Sequence, residues 1–171
     1  RIDDRSYAPQ SRAVQRGPND IKQRIRVEQD SAVIWNEAAL YVRSHHEAWL
    51  ADNLGEWMSE YFGHDRIYLL DPDDRPVRAV VKGVHVEDAA YEGGAAAVAP
   101  VGAESRAQMA RASAGLPDST EAVTGLGVED IVLLGDGQPA IVSVRPIVPA
   151  TSAVAQAPGT EHLHVSMRVI G

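Results

Sequence analysis

Residues 19–53 read NDIKQRIRVEQDSAVIWNEAALYVRSHHEAWLADN and contain neither proline nor glycine. Asn19 or Asp20 is a suitable N-cap, and Gly55 is the first residue that interrupts the pattern. The stretch therefore predicts a single helix over 19–54, about 50 Å long at about 1.5 Å per residue. Because such a helix is longer than a compact domain of this size, we expect it to extend beyond the domain.

Two apolar rows run along the predicted helix on adjacent faces. One row comprises Ile21, Ile25, Ala32, Trp35, Ala39, Val42 and Trp49, and the other comprises Val27, Ile34, Ala38, Tyr41 and Ala48. A helix with one apolar row needs one core to cover it, whereas a helix with two must be covered twice. We therefore expect one face to pack on this domain and the other on the same helix of a partner subunit. The candidate residues of this homodimer interface are Ile21, Ile25, Ala32 and Trp35.

Residues 1–18 differ in composition from the stretch that follows. Four arginines lie there among polar and small residues, and Pro9 and Pro18 interrupt any helix. We expect a lead-in arm over 1–18 and a single domain over 19–171. Because the chain begins with Arg1 rather than methionine and ends within a predicted strand, we also expect it to be a segment of a longer protein.

The rest of the domain, residues 56–171, predicts a sheet with a helical insert. Gly55 and Gly63 delimit a short helix from Glu56 to Phe62. Two hairpins follow from the turn residues at 72–75 and 135–138, and the predicted strands are 66–71, 76–83, 131–134, 139–147 and 163–171. Between the hairpins, residues 84–102 predict irregular structure, and Glu104 to Ala114 predicts a short helix. The order predicts an α+β fold with about five antiparallel strands and helix on one face.

Composition narrows the range of functions. The chain has 171 residues, a formal net charge of -8 and no cysteine. The acidic balance argues against nonspecific binding to nucleic acid, so no nucleic-acid partner is expected. The absence of cysteine removes disulfides, thiolate catalysis and zinc–thiolate sites. No apolar run approaches the roughly 18 residues that span a bilayer.

Several short motifs resemble functional sites without completing them. Asp71-Pro72-Asp73-Asp74 begins like a calcium loop, but Pro76 takes the place of the required glycine and Lys82 that of the glutamate. An acidic hairpin turn is therefore the favoured interpretation. His45-His46-Glu47 lacks the second histidine of a zinc-protease helix, and no cofactor-binding loop is recognisable.

His162 and His164 are alternate residues of the last predicted strand, so they share a face and two imidazoles there can chelate a metal. No third ligand is identifiable, and we favour two polar residues on an exposed strand face. We therefore predict no metal site. No nucleophile with a partnered base is recognisable either, so we predict that the segment is not an enzyme, although a hydrolase with a dispersed site involving His64 or Asp65 remains an alternative.

An ordered series of runs resembles a known family. WNEAA at 35–39, WLADNLGEW at 49–57 and HDRIYLLD at 64–71 look like the fourth type of CHASE domain, an extracytoplasmic sensor module of bacterial membrane receptors. GDGQPA at 135–140 and RPI at 145–147, followed by a final strand, are similar to the second half of that family. The resemblance covers roughly residues 25–171.

The resemblance implies a PAS-like, Cache-type fold in which a long N-terminal helix lies against an antiparallel sheet. It implies a position between two transmembrane helices, in the periplasmic portion of an inner-membrane protein. It also implies an output inside the cell: GGDEF and EAL modules that make or degrade cyclic di-GMP, or a histidine kinase. The family supplies no binding residues that carry over to this chain.

Side-chain chemistry suggests where a small-molecule ligand would bind. We expect a pocket between the sheet and the insert of residues 84–127. Trp57, Tyr61 and Tyr68 are the candidate apolar walls, and Asp65, Arg78 and Arg145 are the candidate polar contacts. The alternative for the aromatic residues is an ordinary core, and the alternative for Arg78 and Arg145 is a solvated strand face.

Two functional hypotheses follow. The first is a ligand- or state-sensing domain that passes a displacement of its long helix through the membrane, for which a coupling of roughly 1–3 kcal/mol suffices. The second is a dimerisation or spacer module that binds nothing. A cavity lined by Tyr61, Tyr68 and Arg145 would favour the first.

Overall fold

The computed structural model describes the backbone of residues 2–170 and the side chains of residues 19–170. Its centre is a six-stranded antiparallel sheet in the order β3-β2-β1-β6-β5-β4. The strands are β1 (Arg66–Leu70), β2 (Pro76–Val81), β3 (Val84–Val86), β4 (Val128–Leu133), β5 (Pro139–Ile147) and β6 (His162–Val169). The helices are α1 (Ile2–Val33), α2 (Asn36–Arg43), α3 (Glu47–Asn53), α4 (Glu56–Phe62), α5 (Glu92–Ala112) and α6 (Thr120–Val123), with a 3-10 turn at Asp88–Tyr91.

The α+β class is confirmed, and the sheet contains one strand more than expected. Both predicted hairpins are present, and the short helix α4 has the expected bounds. The additional strand is β3, which the sequence placed in irregular structure. It pairs with β2 after a two-residue turn in which Lys82 and Gly83 both have positive φ. Two-residue hairpin turns of type I′ require positive φ at both positions, and the lysine at the first position obscures the signal.

The single helix predicted over 19–54 is wrong. The segment forms α1, α2 and α3, and α1 begins at Ile2, so residues 2–18 continue the same helix. The first break lies at Ile34–Trp35, where Trp35 N donates to Val148 O at 2.9 Å. The second lies at 44–46, where His45 has a φ of 56°. Pairing with the loop after β5 outweighs helix propensity at the first break, so tertiary contact sets the boundary.

The insert is also more regular than predicted, because α5 covers residues that the sequence left irregular. Its alanine, glycine and Pro100 give a weak helical pattern. Val98, Val101 and Met109 nevertheless bury against the sheet, and this packing holds the helix in place. Helices therefore cover both faces of the sheet, and the expectation of helix on one face is wrong.

Two apolar clusters lie on opposite faces of the sheet. One lies between the sheet and α5 with α6, and the other between the sheet and α1 to α4. Alternation along β1 separates them: Tyr68 and Leu70 enter the first cluster, whereas Ile67 and Leu69 enter the second. The sheet is thus the middle layer of three.

Two of the predicted dimer residues belong to the interior of the chain. Ile25 and Ala32 are buried, Ala32 within the cluster between the sheet and α1 to α4. Ile21 and Trp35 are half-buried. Ile25 and Ala32 are thus unavailable to a partner subunit, because α1 turns this row toward its own sheet.

Candidate functional site

The face of the sheet beneath α1 is unusually polar. Alternate residues of β5 and β6 point toward this helix, among them Ser143, Arg145, His164 and Ser166, and all four are buried. Three consecutive residues of α1, Glu28, Gln29 and Asp30, contact this surface. The contact between α1 and the sheet is therefore made largely by hydrogen bonds and charges.

Gln29 and His164 form the centre of this contact. Gln29 Nε2 donates to Ser143 O at 3.1 Å and lies 2.9 Å from His164 Nδ1, and Ser143 Oγ donates to Gln29 Oε1. His164 Nε2 donates to Leu54 O at 3.0 Å, which leaves Nδ1 as the acceptor for Gln29. Burial lowers the pKa of His164 to about 3, so the ring is neutral at pH 7.

Glu28, His64 and Ser166 form a second connection between α1 and the sheet. Ser166 Oγ lies 2.5 Å from His64 Nδ1, and His64 Nε2 lies 2.8 Å from Glu28 Oε1. Burial, with a contribution from Arg168, lowers the pKa of His64 to about 4, so the neutral ring donates from Nε2 and accepts at Nδ1. The contact with Glu28 is thus a hydrogen bond of a neutral imidazole.

The order serine–histidine–carboxylate is that of a hydrolase triad, but the location does not suit catalysis. A nucleophile must reach its substrate. Ser166 is fully buried, and neither Ser166 nor His64 lines any of the five cavities described in this chain. The arrangement therefore connects α1 to β6 without presenting a nucleophile.

Arg145 forms the third connection. Its guanidinium is completely buried, with Nε 3.4 Å from Asp30 Oδ1 and Nη2 3.5 Å from Glu129 Oε2. These four atoms have no hydrogen-bond partner. Burial lowers the pKa of Arg145 and raises that of Asp30. The guanidinium and the two carboxylates are close enough to attract each other but form no hydrogen bond. Their hydrogen-bonding capacity is therefore the least well satisfied in this contact.

The opposite face of the sheet contains the cavities closest to the predicted pocket. A cavity of about 310 Å³ lies beside the second half of α5, lined by Arg106, Met109 and Glu161 among others. A smaller one, of about 220 Å³, lies beside the first half of α5 and includes Leu70 and Tyr91. Both adjoin the insert, the region where the sequence predicted a pocket.

The six predicted ligand residues do not form one pocket. Trp57 and Tyr61 stack at 4.8 Å on the outer surface of α4, with 46% and 69% of their surface exposed. Tyr68 is buried on the α5 face, so close to Gly94 that a Cβ there would lie 2.8 Å from its hydroxyl. Asp65 Oδ2 accepts a hydrogen bond from Val169 N at the end of the sheet.

The two candidate arginines bind carboxylates of the chain itself. Arg78 is buried on the face of α4, and its Nε donates to Glu56 Oε1 at 2.8 Å. Arg145 lies under α1, as described above. The alternative of a solvated strand face is wrong for both, because helices cover that face.

His162 and His164 share a face as predicted, but the expectation that this face is exposed is wrong. Both are buried. Among the side chains that the structure describes, those of residues 19–170, no group of three or more histidine, cysteine, aspartate or glutamate residues is placed to hold a metal ion. The polar contact beneath α1 was not predicted from the sequence. Its signal is the run Glu28-Gln29-Asp30, three polar residues in a stretch where an apolar row passes over the sheet.

None of the described helices is both long and apolar enough to cross a membrane. No curated protein matches the chain. A family model, the CHASE4 domain, matches residues 19–171. The match begins within α1 and includes all six strands, so it covers the whole sheet and the contact with α1. The chain therefore belongs to the CHASE4 family, whose members are extracellular sensory domains of signalling receptors.

Proposed function

We propose that this domain is the periplasmic sensing part of an inner-membrane signalling protein, and that it controls a cyclic di-GMP synthase or phosphodiesterase by displacing α1. The observation that carries the proposal is the polar contact made by Glu28, Gln29 and Asp30. A helix that only needs to cover a core is held adequately by apolar packing. Three adjacent polar contacts fix its position along the sheet as well.

The length of α1 suits it to transmit a displacement. Its 32 residues extend over about 48 Å, whereas the nine residues of β5, the longest strand, extend over about 30 Å. A shift of about 1.5 Å along the helix axis would stretch or break the contacts of all three polar residues. A ligand that favours one arrangement over the other by differential affinity would bias the position of α1.

We further propose that the domain has a PAS-like, Cache-type fold. A long N-terminal helix against an antiparallel sheet is the arrangement implied for a PAS-like, Cache-type domain. Helix α1 lies against β5 and β6, and the sheet is antiparallel throughout. The proposed membrane position, between two transmembrane helices, concerns residues outside this chain.

The proposed location can be tested by cysteine labelling, because the chain has no cysteine of its own. Ser152 is exposed in the loop before β6, so Ser152→Cys in the full-length protein supplies an accessible thiol. We expect a membrane-impermeant maleimide to label this variant in intact cells. An unlabelled thiol in intact cells that becomes labelled after lysis would place the domain in the cytoplasm and contradict the proposal.

The proposed output can be tested through the polar contact. Gln29→Leu in the full-length protein removes the bonds to Ser143 and His164, and we expect it to change the cellular level of cyclic di-GMP. Glu121→Gln, at an exposed position of α6, is the matched control. If cyclic di-GMP is unchanged in a Gln29→Leu protein that folds and reaches the membrane, α1 does not carry the signal to this output.

The spacer hypothesis remains the second candidate, and one observation favours it. Tyr61, Tyr68 and Arg145, whose common cavity would have supported ligand sensing, lie in three separate places. Binding of any ligand by the cavities beside α5 would therefore decide between the two candidates.

A further inference from the structure

The cavity of about 310 Å³ beside α5 combines an apolar wall with a buried carboxylate. It lies between the second half of this helix and the turn that precedes β6. Its wall is mostly apolar, formed by Met109, Ala110, Ala114, Leu116 and Pro158. This volume is at the lower end of the range for sites that bind small organic molecules.

Glu161 is an unusual residue for such a cavity. Only 1% of its surface is exposed, and no basic side chain in the described part of the chain lies within 4 Å of its carboxylate. Ser119 Oγ donates to its Oε2, and Gly159 N donates to its Oε1 at 3.1 Å. A carboxylate accepts about four hydrogen bonds, so these two neutral donors leave it partly satisfied. Burying a carboxylate without a counter-charge is costly.

The other charged groups around the cavity do not neutralise Glu161. Arg106 lines the same cavity, but its Nη2 donates to Asp74 Oδ1 at 2.9 Å and to Asp71 O at 2.8 Å, and its Nη1 donates to Glu161 O, the backbone atom. The cavity is therefore mostly apolar in its walls, and the arginine that lines it is bonded to Asp74 and to backbone oxygens rather than to the carboxylate of Glu161.

We propose that this cavity binds a small aliphatic ammonium ion, with Glu161 as its counter-ion. Pro158 and Gly159 line the cavity together with Glu161, and the cation would reach Oε1 by displacing the hydrogen bond from Gly159 N. This exchanges a hydrogen bond from a neutral donor for one in which both the donor and the acceptor are charged. A Cβ built on Gly159 would meet no atom within 4 Å, so the turn has open space beside it.

The position of Glu161 connects this site to α1. Glu161 immediately precedes β6, and His164, three residues further on, holds Gln29. The turn is released when a cation takes the place of Gly159 N, and this movement therefore acts on the strand to which α1 is bonded. The ammonium site thus deepens the proposed sensing function, and only its role in signalling rests on that function.

Calorimetric titration of the 171-residue chain tests the site with three probes of nearly equal size: propylammonium chloride, 1-propanol and sodium propionate. We expect saturable binding of propylammonium and none of the neutral or anionic probe. Glu161→Gln keeps the side-chain shape and removes the charge, so it should weaken propylammonium binding at least about tenfold. Glu104→Gln, an exposed position on α5, is the matched control and should bind as the parent does.

Ala114→Phe provides a second variant in case Glu161→Gln fails to fold. Ala114 is exposed and lines the cavity, so a phenyl ring there should fill the cavity and abolish binding without disturbing the core. Equal binding of propylammonium and propanol, undiminished binding by Ala114→Phe, or no saturable propylammonium binding overturns the site. If the chain binds propylammonium but the amine leaves cyclic di-GMP output unchanged in cells, the site stands and the signalling role fails.

Discussion

Single residues determine how α1 meets the sheet, and Arg145 is the clearest case. Its buried guanidinium lies against Gly127, where a Cβ would lie 2.7 Å from Arg145 Cζ and 2.9 Å from Val144 O. The glycine is therefore required by the close approach of the arginine and the neighbouring backbone. Nothing in the sequence around Gly127 indicates this, because Arg145 lies on β5, 18 positions further along the chain.

Gly127→Ala should destabilise the domain by about 1–3 kcal/mol, because neither the buried guanidinium nor the Val144 carbonyl can move freely. Chemical denaturation measures the loss. Gly135→Ala is the matched control, since a Cβ there would meet no atom within 4 Å and the residue has no positive φ. Equal stability of the two variants would mean that the sheet relaxes around Arg145.

The buried histidines make stability depend on pH. Burial lowers the pKa of His64 and of His162 to about 4 and that of His164 to about 3, against an ordinary value near 6.5. The unfolded chain therefore takes up protons first as the pH falls. The contribution of these histidines to the free energy of unfolding is therefore fully present above about pH 6.5 and is lost as the pH falls toward 4.

The variant His64→Gln should flatten this pH dependence, because it removes one group that protonates only in the unfolded chain. For His64 alone the loss between pH 7 and pH 4 is on the order of 3 kcal/mol. Glu28, Asp65 and Arg168 are the charged groups that face this ring. Urea denaturation of the parent and of His64→Gln at pH 7, 5.5 and 4 measures the effect, with the exposed His85→Gln as the control. Parallel curves for all three proteins would contradict it.

At the scale of elements, the sequence predicted what local signals determine and missed what tertiary contacts determine. The bounds of α4 follow from Gly55 and Gly63, and both hairpins follow from their turn residues. The break at Ile34–Trp35 carries no proline or glycine, since it results from pairing with Val148. The burial of His162 and His164 was unpredictable for the same reason, because it depends on helices packed over β6.

The attachment of α4 to β2 depends on the pair Glu56–Arg78. Burial alone would raise the pKa of Glu56, but the hydrogen bond from Arg78 and one from the backbone outweigh it, and the pKa is lowered. Glu56→Gln leaves the buried guanidinium with only the exposed Glu47, 3.9 Å away, as a charge partner, so we expect a loss of about 2–3 kcal/mol in the free energy of unfolding.

The same substitution in an exposed ion pair gives the comparison. Arg111 and Glu104 lie 3.4 Å apart on α5 with most of their side chains exposed, so Glu104→Gln should cost less than about 0.5 kcal/mol. Thermal or urea unfolding distinguishes the two variants. A small effect at both sites would mean that water reaches Arg78 when its partner is neutral.

At the scale of the whole molecule, the homodimer remains a proposal that needs a new interface. Ile25 and Ala32 are buried, so the outer face of α1 would have to supply the contact. Val27 is the residue to test, since 58% of its surface is exposed on this helix.

Val27→Asp should weaken self-association about tenfold or more if this face forms the dimer, because a charge would enter an apolar contact. Leu133→Asp, on the edge strand β4 and more exposed still, is the control. Analytical ultracentrifugation measures both. Association unchanged in Val27→Asp, or a parent chain that is monomeric throughout, removes α1 as the dimer interface.

The placement of β6 has a consequence for how the domain is made. The strand that comes last in sequence lies in the middle of the sheet, between β1 and β5. Until it emerges, each of those strands presents a long open edge, and such edges favour aggregation. The two halves of the sheet cannot pair with each other until β6 has been synthesised and exported. We therefore expect the domain to remain unfolded, or bound to a chaperone, until then.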